Sequence, residues 1–341
     1  MSAAALQALA SRNSRRQQVI GLLAAALVVI FLLSLLLGRY PAPGLLDWSR
    51  LGEDDLARRL ILNLRLPRLI AAMLLGMTLS AAGMVFQLLF SNPLVEPGFL
   101  GVSQGAAFGA AWAIVFLGGA AWVTQSAAVL FGLAGLALSY GLARRLRYGG
   151  WVLRLVLAGI AVSALFSAGV GLLKYLADPL TQLPEITFWL LGSLASMTWG
   201  KLGGIIAPVG VSLLILWLFR WRLNVLSLNE ETAFSLGAAP GRERLLLIVV
   251  AVLPTALLIS VSGMIGWVGL IVPNLTRRLF NADTRFGLPA TMLIGGIFVM
   301  LCDDVARTLL PGEIPLGILT SLFGALAFLG LMTLQQSRTK S

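Results

Sequence analysis

The sequence predicts an all-α, polytopic membrane protein of about ten transmembrane helices, on three observations. Hydrophobic residues make up 58% of the 341 and charged residues 11%, for a mean hydropathy of +0.92. A soluble domain needs more charge than that to cover its surface, so the solvent for most of the chain is lipid. The apolar residues also gather into runs close to the roughly 20 residues that span a bilayer core. Finally, Lys and Arg concentrate on one set of alternating connections, as orientation in a membrane demands.

The first run, 19–38, follows Arg12, Arg15 and Arg16 and is longer than the apolar part of a signal peptide. Arg39-Tyr40-Pro41 stands where small cleavage-site residues would be expected, which predicts a retained first span behind a cytoplasmic tail, 1–18. An outer loop, 39–66, follows, in which the amphipathic stretch Leu51 to Leu64 is expected to lie on the membrane surface. Runs 67–90, 98–117, 121–142 and 153–176 come next. The stretch 186–199, with Trp189 and Trp199 and preceded by Pro184, reads as a partial or interfacial helix.

Runs 202–219, 244–262, 266–280, 286–308 and 314–334 complete one transmembrane domain, 19–334, before a short tail, 335–341. The run 266–280 is short and interrupted by Pro273. Between 221 and 243, Val225, Leu228, Phe234 and Leu236 are interspersed with Asn229, Glu230 and Glu231. That pattern predicts one or two short amphipathic helices, ended by Gly237 and then Pro240-Gly241. Such a loop is either a docking surface or a helix resting on the lipid interface.

With the N-terminus inside and every run crossing, the basic groups at 12–16, 144–154, 220–222, 242–244, 277–285 and 338–340 face the cytoplasm. The outer side keeps Arg39, Arg50, Arg58, Arg59, Arg65, Arg68, Lys174, Lys201 and Arg307, with most of the acids. This places both termini in the cytoplasm. The net charge of +11 then belongs to orientation and anionic lipid, because no soluble domain exists to present a basic face to nucleic acid. One cysteine, Cys302, and no histidine remove a disulfide framework, a thiolate metal site and His-based acid–base chemistry.

Several short motifs narrow the reading. Arg65-Leu66-Pro67-Arg68 opens the second span, and Asn92-Pro93-Leu94-Val95-Glu96-Pro97-Gly98-Phe99-Leu100-Gly101 follows it, with Ser103 and Gly105 beyond. The second half carries Gly263-Met264-Ile265-Gly266-Trp267-Val268-Gly269-Leu270-Ile271-Val272-Pro273-Asn274 before Arg277. Asp303-Asp304-Val305-Ala306-Arg307 and Glu313-Ile314-Pro315-Leu316-Gly317 come last. In this order, and over roughly Arg65 to Leu334, the chain resembles the FecCD-type family of ABC importer permeases, which serve iron-siderophore, haem and vitamin B12 uptake. It departs from the family at Asn274 (usually His), Trp267 (usually Phe), Asn229 (often Gly) and Leu326 (often Pro).

The resemblance implies the type II ABC importer fold: ten helices, with the second to fifth and the seventh to tenth forming an inverted repeat, paired into a dimer around the pathway. It implies that Arg65, Arg68 and Arg307 receive carboxylates of a periplasmic substrate-binding protein, a task for which a planar, permanently charged fork suits. The alternative is that boundary arginines merely anchor helix ends at the headgroups. Asp303 would support Arg307 from one helical turn away, with direct cation binding the alternative. Leu228, Glu230, Glu231, Ala233, Leu236 and Gly237 match the coupling segment that seats on an ATPase subunit.

The partners implied are two ATP-binding cassette subunits, a second permease copy or a related permease, the binding protein and the bilayer. The chain itself binds no cofactor. ATP and Mg belong to the partner ATPase, since no G-x-x-x-x-G-K-[ST] run occurs; Gly200-Lys201 is followed by Leu202. Met84, Gln87, Asn92, Ser103, Gln104 and Asn274 are candidate lining of the translocation pathway, or else interhelical contacts. The expected cargo is an iron chelate, haem or corrinoid, moved from periplasm to cytoplasm across a bacterial inner membrane. An ion-coupled secondary transporter is the alternative; it predicts acids at mid-membrane, whereas Asp and Glu in this sequence fall at helix ends and loops.

Overall fold

The computed structural model describes residues 3–40, 42–46, 54–281 and 283–338, with side chains described between 11 and 333. Arg50, the start of the Leu51 to Leu64 stretch and the outermost residues of both predicted tails lie outside the described residues. Among the described residues, eight helices are long and apolar enough to cross a membrane. Two shorter ones, α4 and α12 below, fill the third and eighth predicted positions.

Helix α1 (Ala3–Leu36) continues well to the N-terminal side of Val19. Its neighbour Leu37–Gly38 (β1) pairs antiparallel with Gly44–Leu45 (β2). Asp54 caps the short α2 (Asp55–Leu60), accepting from Leu56 N and Ala57 N. The latter part of the expected 39–66 loop is helical: α2 runs through a π segment, Ile61–Arg65, straight into α3 (Leu66–Leu89), which has Pro67 in its first turn. A π turn leaves a carbonyl free for an outside donor; Leu62 O accepts from Trp199 Nε1 at 2.8 Å.

A 3₁₀ turn, Pro97–Leu100, leads into α4 (Val102–Phe116), and α5 (Ala121–Arg145) and α6 (Trp151–Leu176) complete the first half. Helix α7 spans Gln182–Leu191, so the expected partial helix sits several residues earlier than 186–199: Gly192, at φ +70°, ends it and Trp199 opens α8 (Trp199–Leu218). The two short helices predicted in the 221–243 loop are α9 (Arg222–Leu226) and α10 (Glu230–Ser235), with Asn229 capping the second through Thr232 N. Pro240 does not end them. It opens α11 (Pro240–Ser262), where its missing N–H costs nothing. Helices α12 (Val268–Phe280), α13 (Thr284–Thr308) and α14 (Leu316–Arg338) follow.

The two halves pack as an exchanged pair. Helix α3 lies on α12 and α13, while α11 lies on α4 and α5, the same relation with the halves swapped. Both second helices start at a break. Gly101, at φ +80°, precedes α4, and Trp267, at φ +72°, precedes α12. Lipid gives no hydrophobic drive to bring helices together, so close backbone approach must do it. A Cβ on Gly76 would stand 2.0 Å from Gly295 O, and one on Gly83 would stand 1.9 Å from Gly269 O. Helix α3 is therefore the buried axis, whereas α1 and α14 expose most of their apolar surface.

Candidate functional site

Three polar regions lie along this body. At the end carrying the N-terminus of α3 and the C-terminus of α13, a basin of about 330 Å³ is lined by Arg39, Arg65, Arg68, Arg307 and Glu313. Arg68 Nε reaches Asp303 at 2.9 and 3.1 Å, and its Nη1 reaches both Glu313 oxygens at 2.8 Å. Asp303 is wholly buried and lies 3.7 Å from Arg307. Arg307 donates to Asp304, to Ser34 O and, at 2.7 Å, to Leu37 O; Ser34 Oγ also donates to Asp304.

Two of the three predicted docking arginines are thus already gripped by carboxylates of this chain and tie α1, α3 and α13 together. Arg65 differs. Its Nη1 donates to Leu35 O and Leu36 O at 3.2 Å, and no carboxylate among the described residues pairs with it. Burying an arginine is tolerable only with partners of this kind, so the motif spacing signals the buried network as much as a docking surface. Glu313 and Asp304 stand inside the quoted motifs, yet sequence alone gave them no role.

The second region is where the two broken helices meet. A cavity of about 290 Å³ is lined by residues from both breaks, including Glu96, Ser103, Gln104 and Met264, together with Ser163 of α6 and Thr255 of α11. Ser103 and Gln104 are the two pathway candidates that the fold brings together here. Asn274 faces a separate cavity with Arg277 and Phe328, donating to Pro93 O at 3.0 Å and Leu270 O at 2.8 Å. Asn92 is exposed and caps its own loop through Leu94 N. Met84 and Gln87 take the alternative reading, interhelical contacts. Met84 is fully buried and accepts from Thr291 Oγ1, and Gln87, also buried, donates to Gly269 O and Leu270 O and accepts from Arg277. Both are packing between α3 and its neighbours. Glu96 was missed as a lining residue because loop position in the sequence concealed its depth beside Leu79, midway along α3.

The third region, at the opposite end from the arginine basin, is the α9–α10 segment. Leu228, Phe234 and Leu236 are exposed apolar side chains, and Glu230, Glu231 and Gly237 are exposed beside them. Ala233 is the buried residue of α10 and packs the helix onto the body. The segment is firmly anchored. Arg222 pairs with Glu243 at 2.7 Å, Arg244 donates to Leu226 O at 3.1 Å, and Asn224 accepts from Thr284 N at 3.0 Å. Asp283 binds Arg16 of α1 at 3.2 Å and Arg285 at 2.9 Å. Burial pushes the Asp283 carboxyl up, but its hydrogen bonds from Arg285 prevail and hold it below the usual carboxylate range.

Eight helices long and apolar enough to cross a membrane, exchanged halves and helix breaks around a polar cavity give the architecture of a multi-pass membrane transport permease. The chain belongs to the FecCD transport family, whose model matches residues 26–334. It is 40% identical over 309 residues to the molybdate import system permease protein MolB of Haemophilus influenzae, covering 89% of this chain and 91% of that protein. It is 36% identical over 328 residues to the hemin transport system permease protein HmuU of Yersinia pestis, covering 94% and 96%. A solved structure described as an inward-facing conformation of a metal-chelate-type ABC transporter superposes with a TM-score of 0.86 at 39% identity, covering 93% of this chain and 99% of that one.

Proposed function

We propose that this chain is the membrane-spanning subunit of a binding-protein-dependent ABC importer in a bacterial inner membrane, both termini cytoplasmic. It moves an iron chelate, haem or corrinoid inward by alternating access, paired with a second copy or a related permease. The observation that carries the reading is the pair of opposed surfaces on one helical body: the arginine basin at one end, and the exposed Leu228, Phe234 and Leu236 on an anchored loop at the other. A binding protein offers carboxylates to the basin, Arg65 meeting them directly while Arg68 and Arg307 supply field from behind. Two ATPase subunits, holding ATP and Mg, seat on the α9–α10 segment. The loop's ties to α11 and α13 pass their motion to the spans.

The deciding experiment is uptake into proteoliposomes containing this chain and its copurified ATPase, with iron-chelate, haem and cobalamin ligands and their binding proteins. Uptake of one ligand that needs both ATP and its binding protein is the expected result. Uptake driven by an ion gradient without ATP would make the chain a secondary transporter. Within that assay, Arg65→Glu is expected to slow uptake at least about tenfold, by losing electrostatic steering of the partner, with basal ATP hydrolysis intact. Unchanged uptake would remove Arg65 from the docking surface. Glu230→Ala combined with Leu236→Ala is expected to leave ATP hydrolysis running while uptake falls, and unchanged coupling would return the loop to the lipid interface.

A further inference from the structure

The cavity between the two helix breaks holds more chemistry than packing needs. Non-helical backbone at membrane depth persists only where protein buries it or it lines a polar cavity, and transporter cargo sites form where discontinuous helices of two repeats meet. Here the loops preceding α4 and α12 converge at that kind of place, beside Leu79 in mid-α3. Among the described residues, Glu96 is the one ionisable group lining the cavity. An acid at that depth is a functional candidate by default.

Glu96 stands beside the first turn of α12, where a Cβ built on Gly269 would lie 3.7 Å from its own, and the positive end of that helix favours a carboxylate there. Around it are Ser103, Gln104 and Ser163. The Ser163 hydroxyl is enclosed and has no hydrogen-bond partner. An orphaned buried hydroxyl is costly, and a ligand that satisfies it recovers that cost. No arginine or lysine lines this cavity.

We infer that this cavity is a cargo-contact subsite for a positively charged, N–H- or O–H-bearing part of the transported molecule, with Glu96 as the residue that selects it and turns oxyanions away. The inference rests on the importer reading and narrows its cargo. At about 290 Å³ the cavity sits at the lower edge of ordinary ligand pockets. It takes part of a chelate, or a compact complex, and not a whole haem or corrin. An oxyanion such as molybdate would meet the Glu96 charge with no cation to compensate it.

The test is equilibrium binding to the full-length chain in nanodiscs of zwitterionic lipid, with two compact probes of opposite sign. Hexaamminecobalt(III), a cation with N–H donors on every face, is expected to bind the wild type, and molybdate is not. Glu96→Gln keeps the size and an acceptor oxygen of the side chain and removes only the charge, and it is expected to weaken hexaamminecobalt(III) at least about tenfold. Ser163→Ala with Gln104→Leu provides a second probe of the same cavity should Glu96→Gln fold poorly, and is expected to weaken the cation severalfold. Equal cation affinity in wild type and variants, or molybdate binding as tightly as the cation, overturns the inference. Those results leave the importer reading standing, because dependence of uptake on ATP and binding protein is scored separately on the wild-type complex.

Discussion

Asp303→Ala is expected to cost about 3–5 kcal/mol of stability, the range for removing one partner of a buried charge pair. The physical reason is that the Asp303 carboxylate has no water to fall back on and two arginines to satisfy. Its side chain is 0% exposed, Arg68 Nε grips both oxygens, and Arg307 stands behind. Without it, two guanidiniums share a low-dielectric space with one remaining buried acid, Asp304, which is already committed to Arg307 and Ser34. The loss is read as a lowered denaturation midpoint of the purified chain in mild detergent. Glu313→Gln is the internal comparison. Glu313 touches the same Arg68 at 2.8 Å, yet its side chain is 41% exposed, so solvent screens it and about 1 kcal/mol or less is expected. A loss of similar size in both variants would show that Asp303 is not the hub of the network.

That contrast explains what the sequence made legible. The spans were readable because lipid imposes one rule on long apolar segments, and the short pair α9 and α10 because Asn229, Gly237 and the apolar spacing are local signals. Arg65, Arg68 and Arg307 were readable as a set, but their division into one unpaired cation and two held ones was not, since it depends on Asp303, Asp304 and Glu313 arriving from the far end of the chain. The loop before α3 was less legible for a related reason. The stretch Leu51 to Leu64 alternates polar and apolar residues as a surface helix does, but its latter part is drawn into α3 by a continuous backbone ladder and by Trp199, far away in sequence. Met84 and Gln87 looked like pathway residues because polarity or softness inside a span marks function only if the side chain faces a cavity. Glu96 was overlooked on the mirror-image assumption that a loop residue lies near water.

Gly83→Val is expected to be the most damaging single methyl-bearing change on α3, costing about 3 kcal/mol or more, at the upper end of overpacking penalties. The position cannot yield. Any Cβ there would stand 1.9 Å from Gly269 O and 2.6 Å from its carbonyl carbon, so the obstacle is backbone, not a side chain that can change rotamer. Relief requires α12 to move away from α3. Gly269 approaches Leu79 O on the same face, with 2.9 Å to a Cβ built upon it, so the whole α3–α12 seam would open. Because Gly269 and Leu79 both line the central cavity, the same displacement reshapes the place where the two breaks meet. Gly204→Ala in α8 is the control: nothing lies within 4 Å of its Cβ, and helix propensity alone predicts a gain of up to about 1 kcal/mol. Denaturation midpoints of the two variants in the same detergent decide the matter. If Gly83→Val melts like the wild type, helices α3 and α12 are not held by backbone contact, and the cavity between the breaks is not fixed by the seam beside it.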